Sequence, residues 1–131
     1  MKFTQDRLDI LFKMAPAEAL SAAIDDLITL INVTQDFTVF WYQESKNLKP
    51  EELNKLLEYE GENINLLKRI LQWGCEKGDF NIDDINLAAH NIMVLCDMWA
   101  FRRWALRKDY SLEQFKQEQK KVIFRITGAR R

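Results

Sequence analysis

Between Asp83 and Lys108 lies a helix-length segment whose apolar residues refuse to form a stripe. Ile85, Leu87, Ala88, Ala89, Ile92, Met93, Val94, Leu95, Cys96, Met98, Trp99, Ala100 and Phe101 cover most of the circumference at about 100° per residue. A helix that is apolar nearly all round has to be buried nearly all round. One narrow polar line interrupts the cylinder. Asn86, His90 and Asp97 fall within about 40° of each other. A chain of 131 residues offers few other helices to wrap this one, so the economical expectation is that a second subunit covers part of it.

The rest of the sequence supplies helices and little else. Only 4 Gly and 2 Pro are present, too few chain-breakers for the many turns of a sandwich or barrel. Apolar residues make up 47%, enough for a real core and too many for a disordered chain. The length suits a single domain spanning residues 1–131. Apolar spacing predicts an all-α antiparallel bundle of about five helices.

The first helix is expected at Thr4–Met14, and Ala15-Pro16 punctuates it. The second should run from Pro16 to Glu44, with Leu20, Ile24, Leu27 and Ile31 on one stripe and Leu30, Val33, Phe37 and Phe40 on the next. Pro50-Glu51-Glu52 opens a third, with acids at the positive end of its dipole. Its stripe is Leu53, Leu57, Ile64, Leu67 and Leu71. Glu60 falls on that stripe, either as a snorkelling side chain or as a polar group pointed into a cavity. Gly78 suits the left-handed position after this helix, and Phe80 can fold back onto its last turn. Asn81 or Asp83 then caps the fourth helix, Asp83–Lys108. Ser111-Leu112-Glu113-Gln114 reads as a capping box for the last helix, which Gly128 ends.

Charge is balanced overall, with 19 Lys+Arg against 20 Asp+Glu, which argues against a simple nucleic-acid binder. It is unevenly spread. Residues 101–131 hold 10 basic and 3 acidic side chains, whereas residues 51–100 hold 4 and 10. The plain reading is a basic C-terminal helix lying beside acidic ones; the sharper reading is a nucleic-acid contact. The basic residues are interleaved with core-type aromatics, which favours the plain reading.

Chemistry is sparse. His90 is the one histidine, no Gly-rich phosphate loop is present, and facing Glu-x-x-His pairs for a di-metal site are missing. Glu58, Glu60 and Glu62 alternate along a helix and diverge. Cys75 and Cys96 match no zinc spacing and read as reduced apolar residues. The expectation is no enzyme, no cofactor and no metal. Met1 to Asp9 lacks the apolar core of a secretory signal, and no apolar run reaches the 18 or so residues of a membrane span. A cytoplasmic protein is expected.

Trp73-Gly74-Cys75-Glu76-Lys77-Gly78-Asp79-Phe80, followed by Ile82-Asp83 and Ala88-Ala89, resembles the C-terminal domain of TetR-family bacterial transcription regulators. The W-x-x-R-R-W run from Trp99 to Trp104, followed by Tyr110-Ser111-Leu112-Glu113-Gln114-Phe115, strengthens it. The resemblance implies an all-helical domain that binds a small hydrophobic ligand. It also implies that the last two helices of each subunit pair into a four-helix homodimer interface. The family's helix-turn-helix head needs roughly 45–50 residues with a basic recognition helix. Residues 1–16 cannot supply it, so no DNA contact is expected from this chain.

On this reading Phe37, Phe40, Trp41, Trp73, His90 and Met93 line an apolar cavity, and His90 or Glu60 orients a polar end of the ligand. Trp99, Arg103, Leu106, Phe115, Val122, Ile123 and Ile126 form the dimer face. The alternative is a stand-alone helical adaptor that binds a protein partner through its basic C-terminal surface.

Overall fold

The computed structural model describes residues 4–129. Seven α-helices and one short 3-10 turn account for its regular structure, in the order α1 (Gln5–Leu11), α2 (Pro16–Val33), α3 (Gln35–Glu44), the 3-10 turn (Ser45–Asn47), α4 (Pro50–Glu76), α5 (Ile85–Phe101), α6 (Arg103–Asp109) and α7 (Leu112–Thr127). The all-α class is as expected. The count of five becomes seven because two of the long segments break.

The first break is at Thr34, whose backbone leaves helical geometry at φ -108° and ψ 25°. Its hydroxyl donates to the Leu30 carbonyl at 2.9 Å, the local bond by which Thr competes with helical geometry. The break ends the second predicted stripe. Val33 is exposed, and so are Phe37 and Phe40; the first stripe, Leu20, Ile24, Leu27 and Ile31, is buried throughout. The second break is at Arg102, with φ -108° and ψ 16°, and it separates α6 from α5.

α5 is the central element and packs against α2, α3, α4 and α7. Ala88, Ala89, Ile92, Cys96, Trp99 and Ala100 are buried in a core with Leu27 and Ile28 of α2, Leu67 and Ile70 of α4, and Phe115 and Ile123 of α7. α7 runs antiparallel to α5. The Asn81 N–H donates to the Thr127 carbonyl at 2.9 Å, Gln119 Nε2 donates to the Leu95 carbonyl at 2.6 Å, and the rings of Trp99 and Phe115 lie 5.0 Å apart. These three rungs descend one helix as they climb the other.

Caps follow the sequence signals closely. Ser111 and Gln114 form the reciprocal capping box: Ser111 Oγ accepts from the Gln114 N–H at 3.1 Å and Gln114 Oε1 accepts from the Ser111 N–H at 2.9 Å. The α5 cap is Asp84, not Asn81 or Asp83; its Oδ1 accepts from the Leu87 N–H at 3.0 Å. Asn81 is drawn off to the end of α7 instead.

Charge is matched inside the chain. Lys120 of α7 pairs with Asp25 of α2 at 2.7 Å, and Arg103 of α6 pairs with Asp36 of α3 at 2.7 Å. The basic C-terminal third therefore lies against acidic residues of α2 and α3. Arg7 adds a two-pronged contact from α1 to Asp26, at 2.6 and 3.2 Å.

The end of α4 turns through Gly78, at φ 80°. The Asp79 and Phe80 N–H groups donate back to the Gly74 carbonyl at 2.8 and 3.2 Å. Phe80 folds over the last turn, and its ring occupies the space a Cβ on Gly74 would need, with ring carbons 2.0, 2.3 and 2.8 Å from that position. Gly74→Ala gains helix propensity of about 1 kcal/mol but forces the buried Phe80 ring out of place. A net loss of about 1–2 kcal/mol is expected in urea unfolding; equal or greater stability would contradict this packing.

Candidate functional site

A partly open cavity lies where α2, α3, α4 and α5 meet. α2 and its end contribute Leu27, Leu30, Ile31 and Thr34; α3 contributes Phe37, Thr38 and Trp41; α4 contributes Leu56, Tyr59, Glu60 and Asn63; α5 contributes Met93 and Asp97. The free space amounts to about 50 Å³, room for a few water molecules. The break at Thr34 positions α3 across this space instead of letting it continue along the core. α3 is lightly anchored there, with Thr38 as its one buried residue.

The walls are largely aromatic and aliphatic, and Thr34, Thr38, Glu60, Asn63 and Asp97 add polar groups. Asp97 is 4% exposed, on the flank of an otherwise apolar helix. Tyr42 Oη donates to its Oδ2 at 2.8 Å. The Tyr42 ring is held edge-on against Phe101, with centroids 5.3 Å apart. Burial pushes the Asp97 carboxyl up to about 7; the Tyr42 hydrogen bond acts against this, and the negative charge of Glu60 acts with it. Tyr42 is itself raised above the ordinary phenol range, by burial first and then by the charge of Asp97. Burial, followed by the same charge, raises the Cys96 thiol, which is therefore no reactive thiolate. Asn63 is 5% exposed.

Four of the ligand residues expected from sequence, Phe37, Trp41, Glu60 and Met93, meet at this cavity. The other three lie elsewhere. Phe40 is exposed on α3. Trp73 stacks on Phe12 at 5.4 Å beside an open groove that also includes Arg69, Ile85 and Asn86. His90 is exposed. The polar line on α5 thus begins at the surface, with Asn86 and His90, and reaches the interior only at Asp97. Asp97, Tyr42 and Asn63 are the polar groups that sequence reasoning missed. Asp97 carried a signal, since it stood on that line; Tyr42 followed the aromatic run and Asn63 sat one turn from Glu60.

The residues assigned to a dimer face are also divided. Trp99, Phe115 and Ile123 are buried within the chain, and the Trp99 indole N–H donates to Asn32 Oδ1 at 2.8 Å. Arg103 is committed to Asp36. Leu106 and Ile126 are partly buried against the core. Val122 is exposed, as are Leu87, Val94 and Phe101 of α5 and Trp104 of α6.

A family profile described as tetracyclin repressor-like, C-terminal domain matches residues 13–104. The chain belongs to this family. Among solved structures, a bacterial regulatory protein of the TetR family from Rhodococcus RHA1 shares the fold at a TM-score of 0.82 and 19% identity. The match covers 90% of this chain and 62% of that one. Among curated proteins, none matches the sequence. The matched region of the TetR-like domain includes α2 to α5, the four helices that line the cavity. Among the described residues, no helix is long and apolar enough to cross a membrane.

A carboxyl held near 7 in the folded chain and near 4 in the unfolded chain makes folding favour the protonated form. That contribution is complete below about pH 4 and is lost as pH rises towards 7. Relative to Asp97→Asn, the parent chain should lose up to about 1.4 kcal/mol per pH unit across this interval and then level off. Urea unfolding of both proteins at several pH values measures the gap; a gap that does not change with pH would contradict the burial of this acid.

Proposed function

We propose that this chain is the small-molecule-sensing and dimerising part of a TetR-like transcription regulator. The observation that carries the reading is the partly open cavity between α2, α3, α4 and α5, with aromatic walls and a few polar groups, which is the ordinary make-up of a small-molecule site. Phe37, Trp41, Glu60 and Met93 would line the bound ligand. Asp97, held by Tyr42, joins Glu60 in the orienting role expected of His90 or Glu60.

Size sets the mechanism. Drug-sized ligands need roughly 300–1,000 Å³, so a ligand of that class binds only if the walls move apart. α3, with Thr38 as its one buried residue, is the wall that yields. A ligand that fits only the widened form shifts the population towards it. Movement of α3 passes to α5 and α6 through Tyr42–Asp97 and Asp36–Arg103.

In the same reading, a second copy packs on the α5–α7 face that carries Leu87, Val94 and Val122, with Ile126 and Leu106 beside it. The chain makes no operator contact itself, works in the cytoplasm and carries out no reaction. The adaptor reading needs a free basic surface, and Arg103, Lys116, Lys120 and Lys121 are instead held in ion pairs within the chain.

Sedimentation tests the assembly. A dimer is expected at micromolar concentration, and Val122→Asp should yield a folded monomer by placing an unpaired charge in the interface. A monomeric parent chain would overturn this part. For sensing, a ligand at a hundred times its Kd should stabilise the fold by about 2.7 kcal/mol, and widening Trp41→Ala should change which ligands do so.

A further inference from the structure

We propose that the ligand recognised in this cavity is a hydrophobic cation, an amine carried on an apolar aryl or alkyl body. The inference rests on the sensing role proposed above and names its ligand class. Two carboxylates, Asp97 and Glu60, stand on the wall, and no Lys, Arg or His is among the lining residues. Tyr42 occupies Oδ2 of Asp97 and leaves Oδ1 for another donor. Asn63, 5% exposed, lines the same wall, and its side-chain amide has no fully buried atom left without a partner, so what it offers a ligand is at the cavity surface.

An ammonium carries three N–H donors and no acceptor. The wall presents the complementary set in Asp97, Glu60 and the amide oxygen of Asn63. Buried charge without a partner is costly, and an opposite charge in a poorly solvated site offsets that cost more than it would in water. Trp41, Tyr59 and Phe37 supply aromatic faces, which attract a cation and pack against an apolar body. A carboxylate ligand would instead bring a third negative charge beside two. The titrating groups that bear on Asp97 are Tyr42 from α3 and Glu60 from α4, and its own charge in turn raises the neighbouring Cys96; α2 brings apolar side chains and Thr34. With Asp97 losing its proton near 7, amine affinity should rise as pH increases from about 6 to about 8.

Three probes that share one skeleton separate the outcomes: phenylbutylamine, phenylbutanol and phenylbutyric acid, titrated calorimetrically into the intact chain. The amine should bind about tenfold more tightly than the alcohol, with the acid weakest. Asp97→Asn, and separately Glu60→Gln, should remove the amine's advantage over the alcohol, while the alcohol still binds. These variants report on charge, so alcohol binding also shows that each has kept its fold. Equal binding of all three probes, or a preference for the acid, would overturn the cation assignment while leaving the sensing role in place. Absence of binding by all three would remove the cation assignment together with its premise.

Discussion

The burial of α5 is the constraint on which the other elements depend. Its residues present apolar surface in nearly every direction, so helices must approach it from several sides. α2 and α4 supply the aliphatic walls, α7 closes the back, and α3 crosses the remaining side. The cavity lies under α3, where an element with one buried residue meets the polar flank of α5. A looser element over a rigid core is the arrangement in which local opening costs least.

Asp97 is the point where this packing carries its largest electrostatic cost. A carboxylate on a buried helix needs donors, and Tyr42 supplies one. The same bond is a tie between α3 and the core. An occupant that takes over part of the hydrogen bonding to Asp97 weakens the need for that tie, which links binding chemistry to the position of α3. Charge pairing at Arg103–Asp36 and the hydrogen bond from Arg107 to Gln35 connect the start of α3 to α6. A shift of α3 therefore bears on the region beyond α5 without passing through the aliphatic core.

The class of fold was legible from the scarcity of chain-breakers and the period of the apolar residues. Gly78, Phe80, Ser111, Gln114 and Gly128 were legible too, because caps and left-handed turns use local chemistry that a sequence displays directly. The breaks at Thr34 and Arg102 were not, since neither carries the Gly or Pro that marks a break in sequence. One consequence was the misplacement of Phe40 on a continuing apolar stripe. Four of the thirteen lining residues, Phe37, Trp41, Glu60 and Met93, could be named from side-chain type and spacing. His90 and Asp97 share one helical face, and sequence alone does not say which end of that face is covered. The exposure of His90 and the burial of Asp97 follow from where α3 and α4 lie. The same limit applied to Trp99, Phe115 and Ile123. A helix apolar all round tells that it is covered, not whether the cover comes from its own chain or from a second copy.

The ionisation of Asp97 tests the account most directly. Carbon-13 NMR of its carboxyl through a pH titration, assigned with Asp97→Asn, reports the environment of the cavity wall without any ligand. A midpoint at about 7 is expected. A midpoint near the ordinary aspartate value of about 4 would mean that the group is solvated and that α3 does not cover it in solution.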